Sequence, residues 1–411
     1  MELKTNYQYT YFIYPFAVKK ENYKRYIKGL LSNKNFNVKF FDSFKDIELF
    51  NYFLPSIKKK YFQDFSFSQE KLSEFKKLSN SNRKRILLEE DCLIFEYRLD
   101  NEYQGKTGDE EGIFFKISKI ELICFSTGIC FLLMKTNIED SNEFSDILNF
   151  NYKFSNLGLE YKKIRNINNI KIQTDRFNNM QEVNTFIEDI TGTKVINNEI
   201  DIDENSFQTY TYACVDSKYW NKDTDFKNLE KEFIKFAEVY PSSSNNYIEY
   251  DKLTILANSN FMRLRINNRC SALICSSTES INYTNLAFEY ENQYLYTYII
   301  ALHQRYYLKK LNKQLTNKYN NENCMEKLAD FIKNMWSTEV TQEPFGHKIY
   351  KRCKEKLNLD DLYKDLKNNY DIFYKKAKIE RCTKLVSILI GIMIICSILN
   401  ISSLLAWYFF K

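Results

Sequence analysis

Three arginines in one short stretch have the side chains needed to bind an anionic ligand. Arg263 and Arg265 alternate with apolar residues, and Arg269 follows shortly after them. If the stretch is a strand, residues two apart project from the same face, and neighbouring guanidinium groups can hold a phosphate through paired hydrogen bonds. Alternating charge is more often the solvated face of a half-buried strand. The functional interpretation is ligand binding, and it makes Arg263, Arg265 and Arg269 the candidate ligand-binding residues.

Sequence motifs of enzymes and metal sites are absent. The chain contains two histidines and no Walker loop, dinucleotide-binding glycine pattern, nucleophile elbow or HExxH motif. Gly105–Lys106–Thr107–Gly108 lacks the upstream glycine of a phosphate loop, and we predict a plain turn there. Asp201, Asp203 and Glu204 lack the glycine and the closing glutamate of a calcium loop. We therefore predict no enzyme, no catalytic residue, no metal site and no cofactor; the small molecule considered below is a nucleotide ligand.

Charge and cysteine usage exclude other classes of protein. The net charge is +6, from 59 basic and 53 acidic residues, and the basic residues are spread along the chain. A nucleic-acid-binding protein usually concentrates them, so we predict no direct binding to nucleic acid. The 10 cysteines are irregularly spaced without a Cys-x-x-Cys pair, and the N-terminus does not resemble a signal peptide. These features favour a reducing compartment in which the thiols stay free.

The C-terminal segment, residues 383–411, is predicted to span a membrane once. From Leu385 to Phe410 the sequence contains no charged residue. A helix rises about 1.5 Å per residue, so this stretch is long enough for one crossing of a hydrocarbon core of about 30 Å and too short for two. Basic residues crowd the side that precedes it, and Lys411 alone follows it. The positive-inside rule then predicts a single-pass membrane protein with a cytoplasmic N-terminal region.

Polar and small residues in the predicted span indicate contact between helices. Asn400 would lie at membrane depth, where an amide usually faces a partner helix or water. Gly391 and Ser397 are small enough to let another helix approach closely. We take Gly391, Ser397 and Asn400 as the candidate residues of an oligomer interface or pore. The simpler alternative is a lone helix that tolerates one asparagine.

A heptad pattern precedes the predicted span. Apolar residues alternate at spacings of four and three, as in a coiled-coil seam, at Leu359, Tyr363, Leu366, Tyr370 and Phe373. Neither proline nor glycine lies between Asn358 and Thr383, so the helix can continue into the membrane. We predict a coiled-coil stalk of identical chains. The alternative is an ordinary amphipathic helix packed on its own domain.

The remainder is predicted to be α+β, with a mixed α/β cytoplasmic region followed by long helices. Strands are predicted at 9–18, 92–99, 112–122, 129–135, 251–257, 261–267 and 271–277, with a turn at residues 125–128. Helices are predicted at 21–32, 181–190, 283–318 and 322–341. The predicted division is an N-terminal α/β domain over 1–155, a second α+β region over 156–280, long helices and stalk over 281–382, and the membrane helix over 383–411.

Four segments carry motifs that can be compared with known families. They are Phe125–Gly128, Asp146–Asn151, Leu302–Tyr306 and the pattern of Trp336, Glu339–Gln342, Gly346 and Tyr350. These segments resemble CorA-like membrane proteins, in particular the divergent CorA-related effectors found beside type III CRISPR systems. The order of a mixed α/β region, long helices, stalk and membrane helix is also similar. The metal-transporting branch of the family carries a Gly-Met-Asn tripeptide and a second membrane helix, and this sequence shows neither.

The resemblance implies a homo-oligomer, commonly a pentamer, whose stalk helices surround a pore in the lipid bilayer. It also implies gating by a nucleotide second messenger made during phage infection, such as a conjugate of S-adenosylmethionine with AMP (SAM-AMP). The expected function is therefore an antiviral membrane effector. Two alternatives stay open, a CorA-like divalent-cation channel and a tail-anchored scaffold that binds another protein.

Overall fold

A single mixed sheet of twelve strands organises the chain. The computed structural model describes residues 3–42, 46–63, 68–99, 101–107, 112–155, 170–173, 180–192, 207–245, 255–316, 328–332 and 336–409, and these residues form an α+β fold, as predicted. The strands are β1 (Thr5–Ala17), β2 (Phe36–Val38), β3 (Cys92–Tyr97), β4 (Tyr103–Thr107), β5 (Phe114–Phe125), β6 (Ile129–Ile138), β7 (Ile170–Gln173), β8 (Gln181–Glu182), β9 (Gln208–Val215), β10 (Ile255–Leu256), β11 (Met262–Ile266) and β12 (Cys270–Ser276).

The order of the strands joins distant parts of the sequence. It is β10-β11-β12-β9-β1-β6-β5-β4-β7-β8, with β3 paired to β5 and β2 to β3. Every pair is antiparallel except β12 with β9. β9 falls in the predicted second region, yet it pairs with β1 from Gln208 opposite Ile13 to Val215 opposite Thr5. The predicted boundary at residue 155 is therefore crossed by one continuous sheet.

β1 occupies a central position because it is apolar on both faces. Tyr11 and Ile13 belong to one hydrophobic layer, and Phe12 and Phe16 belong to the other. Such a strand must be covered on both sides to bury its side chains. Phe12 stacks on Phe154 with ring centroids 3.9 Å apart. The strand predicted at 9–18 is confirmed and begins earlier, at Thr5.

β5 and β6 form a hairpin around the predicted turn. Residues 126–128 connect the strands, and Gly128 has φ of 81°. A three-residue hairpin loop of this kind ends on a residue in the left-handed region. The Gly128 N–H donates to the Phe125 carbonyl oxygen at 2.8 Å, and its carbonyl oxygen accepts from the Val18 N–H at 2.8 Å. An added Cβ would collide with the Val18 carbonyl oxygen, so the turn requires glycine.

Helices cover both faces of the sheet. They are α1 (Lys20–Ser32), α2 (Ile47–Tyr52), α3 (Pro55–Tyr61), α4 (Gln69–Lys77), α5 (Asn80–Leu87), α6 (Phe144–Ser155), α7 (Val183–Thr191), α8 (Lys227–Glu238), α9 (Asn285–Glu289), α10 (Leu295–Thr316), α11 (Pro344–Lys356) and α12 (Leu359–Phe409). A π-helical turn, Tyr290–Tyr294, joins α9 to α10. Helices α1 and α4–α8 pack on one face, and α2, α3 and α9–α12 pack on the other.

α12 is one uninterrupted helix of 51 residues. It is separated from α11 by Leu357 and Asn358, and the Asn358 φ of 54° lies in a region that asparagine tolerates better than most residues. Near its start α12 packs on α10, where Leu359 and Leu366 are fully buried. The Asn369 amide donates to the Asn312 side-chain oxygen of α10 at 2.9 Å.

The predicted coiled-coil seam is corrected by this packing. Leu359 and Leu366 are buried within the single chain, and Tyr363 and Tyr370 pack against the same hydrophobic layer. The side chain of Phe373 lies outside the described residues. In its first part the seam therefore contacts the chain's own helix α10, which is the alternative considered above, and Leu359 and Leu366 are covered within the chain.

Two further predictions are corrected. Within the predicted helix 322–341, the described residues are helical only over 328–332, and Ile332 is 38% exposed. Tertiary contacts hold the following segment instead, because Thr341 bridges Phe53 and the Ser337 carbonyl oxygen accepts from the Tyr350 hydroxyl at 2.7 Å. The turn predicted at 105–108 is strand β4 as far as Thr107, and the rest lies outside the described residues.

Candidate functional site

The arginines of β11 are occupied by protein groups. Arg263 and Arg265 do lie on one side of the strand, as predicted. Arg265 forms an ion pair with Glu238 at 2.6 Å. Arg263 donates to the carbonyl oxygen of Asn260 at 3.0 Å, and its guanidinium lies 4.9 Å from the ring centroid of Phe226. These contacts favour a structural role for Arg263 and Arg265.

The other polar residues considered in the sequence analysis are either exposed or outside the described residues. Arg269 is exposed in the turn between β11 and β12. Asp201, Asp203 and Glu204 lie outside the described residues. In the described part of the chain, no group of three or more His, Cys, Asp or Glu side chains could hold a metal ion.

A cleft of about 280 Å³ opens beside the β5–β6 turn. It is lined by residues from five separate parts of the sequence, namely Lys20, Tyr23, Lys24, Leu88, Glu89, Glu90, Asp91, Ser126, Thr127, Tyr307, Asp330 and Phe331. Carboxylates outnumber ammonium groups, and aromatic rings form part of the wall. The volume lies just below the range of about 300–1,000 Å³ usual for ligand pockets, so the cleft suits a small ligand or one end of a larger one.

Hydrogen bonds hold the turn at the edge of this cleft. The Ser126 hydroxyl donates to the Asp91 carboxylate at 3.0 Å. The Thr127 Oγ1 and the His303 Nε2 on α10 lie 2.9 Å apart, and the Lys310 ammonium donates to the Thr127 carbonyl oxygen at 3.3 Å. The turn is thereby joined to two positions on α10. A molecule that displaced Thr127 would therefore change the hydrogen bonds of that helix.

His303 is a neutral histidine buried under the cleft. It stacks on Phe125 with ring centroids 3.9 Å apart, and burial lowers its pKa from 6.5 to about 3. Its Nδ1 has no hydrogen-bond partner among the described residues. We assign the hydrogen to Nε2, because a buried N–H is rarely left unpaired. Thr127 Oγ1 then accepts from His303, and the Thr127 O–H remains a donor for a group in the cleft.

The depressed pKa of His303 predicts a loss of stability in mild acid. Below pH 6.5 the unfolded state binds a proton that the folded state excludes until pH falls to about 3. The free energy of unfolding should therefore decrease by about 2 kcal/mol between pH 6.5 and pH 5. Denaturant titration of wild type and His303→Gln at both pH values measures this, and the variant should lack that decrease.

His347→Gln is the matched control, since His347 is the other histidine and is partly exposed. This variant leaves His303 in place, so the decrease that His303 causes should remain. Equal pH profiles for wild type and His303→Gln would show that His303 is protonated in the folded state and would remove the basis of the hydrogen assignment.

Buried charges connect the other end of α10 to the sheet. Glu121 is 1% exposed and lies 2.9 Å from the Lys39 ammonium and 3.3 Å from that of Lys119. Burial would raise the pKa of Glu121, but the two ammonium groups outweigh it and hold the pKa below its usual value. Lys39 also donates to the Tyr296 hydroxyl on α10 at 3.0 Å.

The π-helical turn adds a second charged contact. Its Glu291 accepts from the Tyr11 hydroxyl and the Lys135 ammonium, each at 2.6 Å. π-Helical turns often occur at functional positions. Here the turn carries a carboxylate to the middle of the sheet, where β1 and β6 meet. α10 is thus attached to the sheet at both ends as well as along its apolar face.

The C-terminal part of α12 has the properties of a membrane span. Among the described residues, one helix is long and apolar enough to cross a membrane, over the 22 residues Cys382–Ser403. That segment is about 33 Å long. The Ser397 hydroxyl donates to the Met393 carbonyl oxygen at 2.8 Å and the Ser403 hydroxyl to that of Asn400 at 2.9 Å. These serines satisfy their hydroxyl groups within their own helix, which is compatible with lipid.

The three predicted pore or interface residues do not share one face. Helical residues are separated by about 100° each, so Gly391 lies on the side opposite Asn400, whereas Ser397 lies beside it. No atom lies within 4 Å of the position that a Gly391 Cβ would occupy. The Asn400 carboxamide has no hydrogen-bond partner among the described residues. Ser397 and Asn400 remain together as a candidate interface, and Gly391 is separated from them.

Sequence reasoning missed the cleft and the buried charges. In the sequence, the turn at residues 125–128 and the segment around His303 are separate motifs. No local pattern indicates that Asp91, Thr127 and Tyr307 meet. The signal that could have pointed to Glu121 is a carboxylate inside an otherwise apolar strand, which requires a buried partner.

No protein-family model, curated protein or solved structure matches the chain. The fold and the candidate site by themselves define a class. This is an α+β protein with helices on both faces of a twelve-stranded sheet and, in the part of the chain that the structure describes, one helix that is long and apolar enough to cross a membrane.

Proposed function

We propose that this chain is a ligand-gated membrane effector. The N-terminal region binds a small molecule in the cleft beside the β5–β6 turn, and the C-terminal part of α12 spans the inner membrane with the N-terminal region in the cytoplasm. The observation that carries the proposal is the continuity of α12. The same helix packs on α10 at Leu359 and Leu366 and contains the candidate span Cys382–Ser403.

The route from cleft to membrane follows described contacts. A ligand that accepts a hydrogen bond from Thr127 changes the environment of His303 and Lys310 on α10. α10 in turn contacts α12 through Asn312 and Asn369. A ligand shifts such a system only by binding one arrangement more tightly than the other. The turn, which is hydrogen-bonded to α10, is the part of the cleft best placed to supply that difference.

The chemistry of the cleft supports a ligand with both positive and acceptor groups. Carboxylates of Asp91 and Asp330 and the ring of Tyr307 line it and favour a cation. The Thr127 hydroxyl and the Lys20 ammonium favour an anionic acceptor. SAM-AMP, the messenger that the CorA-like resemblance implies, carries a sulfonium and an ammonium group together with a phosphate. The antiviral setting and this ligand remain predictions of the resemblance.

Efflux from liposomes tests the proposal. Purified protein is reconstituted with a trapped dye, and release is followed with and without SAM-AMP. The wild type should release dye when the ligand is added. Thr127→Val removes the hydroxyl and keeps the shape, and it should raise the ligand concentration needed for release by about tenfold, the effect of one lost hydrogen bond. Thr284→Val, an exposed threonine outside the cleft, is the matched control.

Other outcomes favour the alternatives. Release that is equally fast without ligand would indicate a constitutive channel. Release that stays flat with every ligand, while the protein is anchored in the liposome, would indicate a scaffold. Equal ligand responses of the Thr127→Val and Thr284→Val variants would place the ligand elsewhere and refute the role of the cleft.

A further inference from the structure

One side of α12 carries a row of residues at seven-residue spacing that the chain itself leaves uncovered. The row consists of Ile372, Ile379, Val386, Met393 and Asn400. A second row follows it three residues later, at Lys375, Cys382, Leu389, Cys396 and Ser403, and is uncharged from Cys382 onward. Together these have the spacing of the a and d positions of a heptad. We call the two rows the outer seam.

The outer seam lies away from the contact with α10. At about 100° per residue, Ile372 is displaced around the helix by roughly 120–160° from Leu359, Leu366 and Tyr370. Those three residues pack against the chain's own hydrophobic layer. α12 therefore has two distinct apolar sides, one of which is used inside the chain. The outer seam is not the heptad pattern predicted from the sequence, which follows the buried side.

Two residues of the outer seam are exposed outside the candidate span. Ile372 is 61% exposed and Ile379 is 64% exposed, and both precede Cys382, where the span begins. Lipid explains exposed apolar residues within the span but not these two. A single exposed apolar side chain is ordinary. Two that continue the same row as Val386 and Met393 indicate a partner helix that runs along α12 and follows it into the membrane.

Asn400 indicates what the partner is. Its carboxamide lies within the candidate span, has no hydrogen-bond partner among the described residues and occupies a core position of the outer seam. A carboxamide both donates and accepts, so two asparagines related by symmetry can pair with each other. In helix bundles a single asparagine at such a position sets the register and the number of helices, and in membranes such amides join helices.

We infer that the outer seam is the contact between copies of this chain, packed parallel and in register. The positive-inside rule gives every copy in one membrane the same orientation, so the helices are parallel. Each residue of the outer seam then contacts the same residue of the other copy. This inference rests on the proposed function for the placement of Cys382–Ser403 in lipid. It assigns the helix contact to Ile372, Ile379 and Asn400, and not to the seam at Leu359–Phe373 or to Gly391.

The chain contains its own reporters of this contact. Cys382 and Cys396 both lie on the second row of the outer seam, and both are exposed, whereas the other described cysteines are buried. Equivalent cysteines of parallel, in-register helices lie close enough for a disulfide once the helices pack side by side. Mild oxidation in the membrane should therefore join two chains at twice the chain mass of 49.4 kDa.

Two matched variants test which side of α12 forms the contact between copies. In the full chain with Cys382→Ser and Cys396→Ser, a cysteine is introduced either by Leu389→Cys, on the outer seam, or by Gly391→Cys, on the opposite side at nearly the same depth. After oxidation with copper phenanthroline in reconstituted liposomes, Leu389→Cys should give at least about tenfold more cross-linked dimer than Gly391→Cys, because disulfides form only at short Cβ distances. The parent without added cysteine should give none.

Further variants test the asparagine and the part outside the membrane. Adding Asn400→Leu to the Leu389→Cys protein should lower the cross-linked fraction roughly fivefold, the size of one amide contact between membrane helices. Ile379→Ser should also lower it, whereas Lys378→Ser should not. Equal cross-linking at residues 389 and 391, more at 391, or a product whose mass is not that of two chains would overturn the inference.

The result is separable from that of the efflux experiment. Cross-linking that follows the outer seam together with flat efflux would retain the contact between copies and refute ligand gating. Ligand-dependent efflux with cross-linking at Gly391 would retain gating and refute the outer seam.

Discussion

Replacing Lys39 with methionine is expected to lower the free energy of unfolding by about 3 kcal/mol, because removal of one partner leaves a charge uncompensated in the interior. The charge is that of Glu121, which is 1% exposed and lies 2.9 Å from the Lys39 ammonium. Lys119 remains 3.3 Å away but is itself 30% exposed, so it compensates only in part. Denaturant titration in mild detergent, followed by tryptophan fluorescence, measures the loss.

The pH dependence identifies the cause. In the wild type the pKa of Glu121 is held low by Lys39 and Lys119 against the effect of burial, so its contribution to stability is present above the carboxyl pKa of the unfolded chain and is lost in acid. Without Lys39, burial raises the pKa of Glu121, and protonation relieves the buried charge. The deficit of the variant relative to wild type should therefore shrink as pH falls from 7 towards 4.

Two controls accompany the Lys39 variant. Lys119→Met removes the more exposed partner and should cost much less. The double variant Lys39→Met with Glu121→Leu removes both charges and should recover more than half of the loss. A double variant as unstable as Lys39→Met alone would show that the lysine acts through its packing and not through its charge.

Gly128→Ala is expected to destabilise the protein by about 2–3 kcal/mol, from roughly 1–2 kcal/mol for a left-handed alanine and about 1 kcal/mol for a displaced hydrogen bond. The added Cβ would collide with the Val18 carbonyl oxygen, and the Gly128 carbonyl oxygen would lose its bond from the Val18 N–H. Because the same turn holds Thr127 at the cleft, ligand-induced efflux should fall as well. The same denaturant titration measures the loss of stability, and the liposome experiment measures the loss of efflux.

Gly29→Ala is the control for this substitution. Gly29 lies in the exposed part of α1, and nothing lies within 4 Å of its Cβ position. Alanine there should raise the free energy of unfolding by about 0.5–1 kcal/mol through its better helix propensity. If Gly128→Ala changed stability by less than Gly29→Ala, the turn would not need a left-handed residue.

The elements that sequence predicted well are those whose pattern is complete within a short segment. The strand at 9–18 could be predicted because Tyr9 to Val18 is rich in aromatic residues, and the β5–β6 hairpin is marked by two strand-forming runs around Gly128. α12 could be predicted as one helix because no proline or glycine interrupts it before the span. In each case burial and backbone conformation are set by adjacent residues.

Contacts between distant segments could not be predicted in this way. The heptad pattern at Leu359 and Leu366 indicates an apolar side but does not say whether the chain's own α10 or a second copy covers it. Gly105 lies in a strand, where the ring of Phe115 occupies the space that a side chain would need. Rules that predict turns from local sequence do not include such a contact. The cleft and the pair Lys39–Glu121 join residues that are far apart in sequence, so they exist only once the sheet has formed.

The left-handed residue Asn358 determines how motion at the base of α12 is amplified. The helix that follows it is 51 residues long, about 77 Å. A rod of that length pivoting at Asn358 turns a tilt of about 5° into a displacement of roughly 7 Å at its far end. A rearrangement near Leu359 too small to disturb the sheet would therefore move Trp407 by more than one helical turn. In the proposed function, α12 would thus enlarge a small tilt at the folded region into a large displacement at the far end of the candidate span.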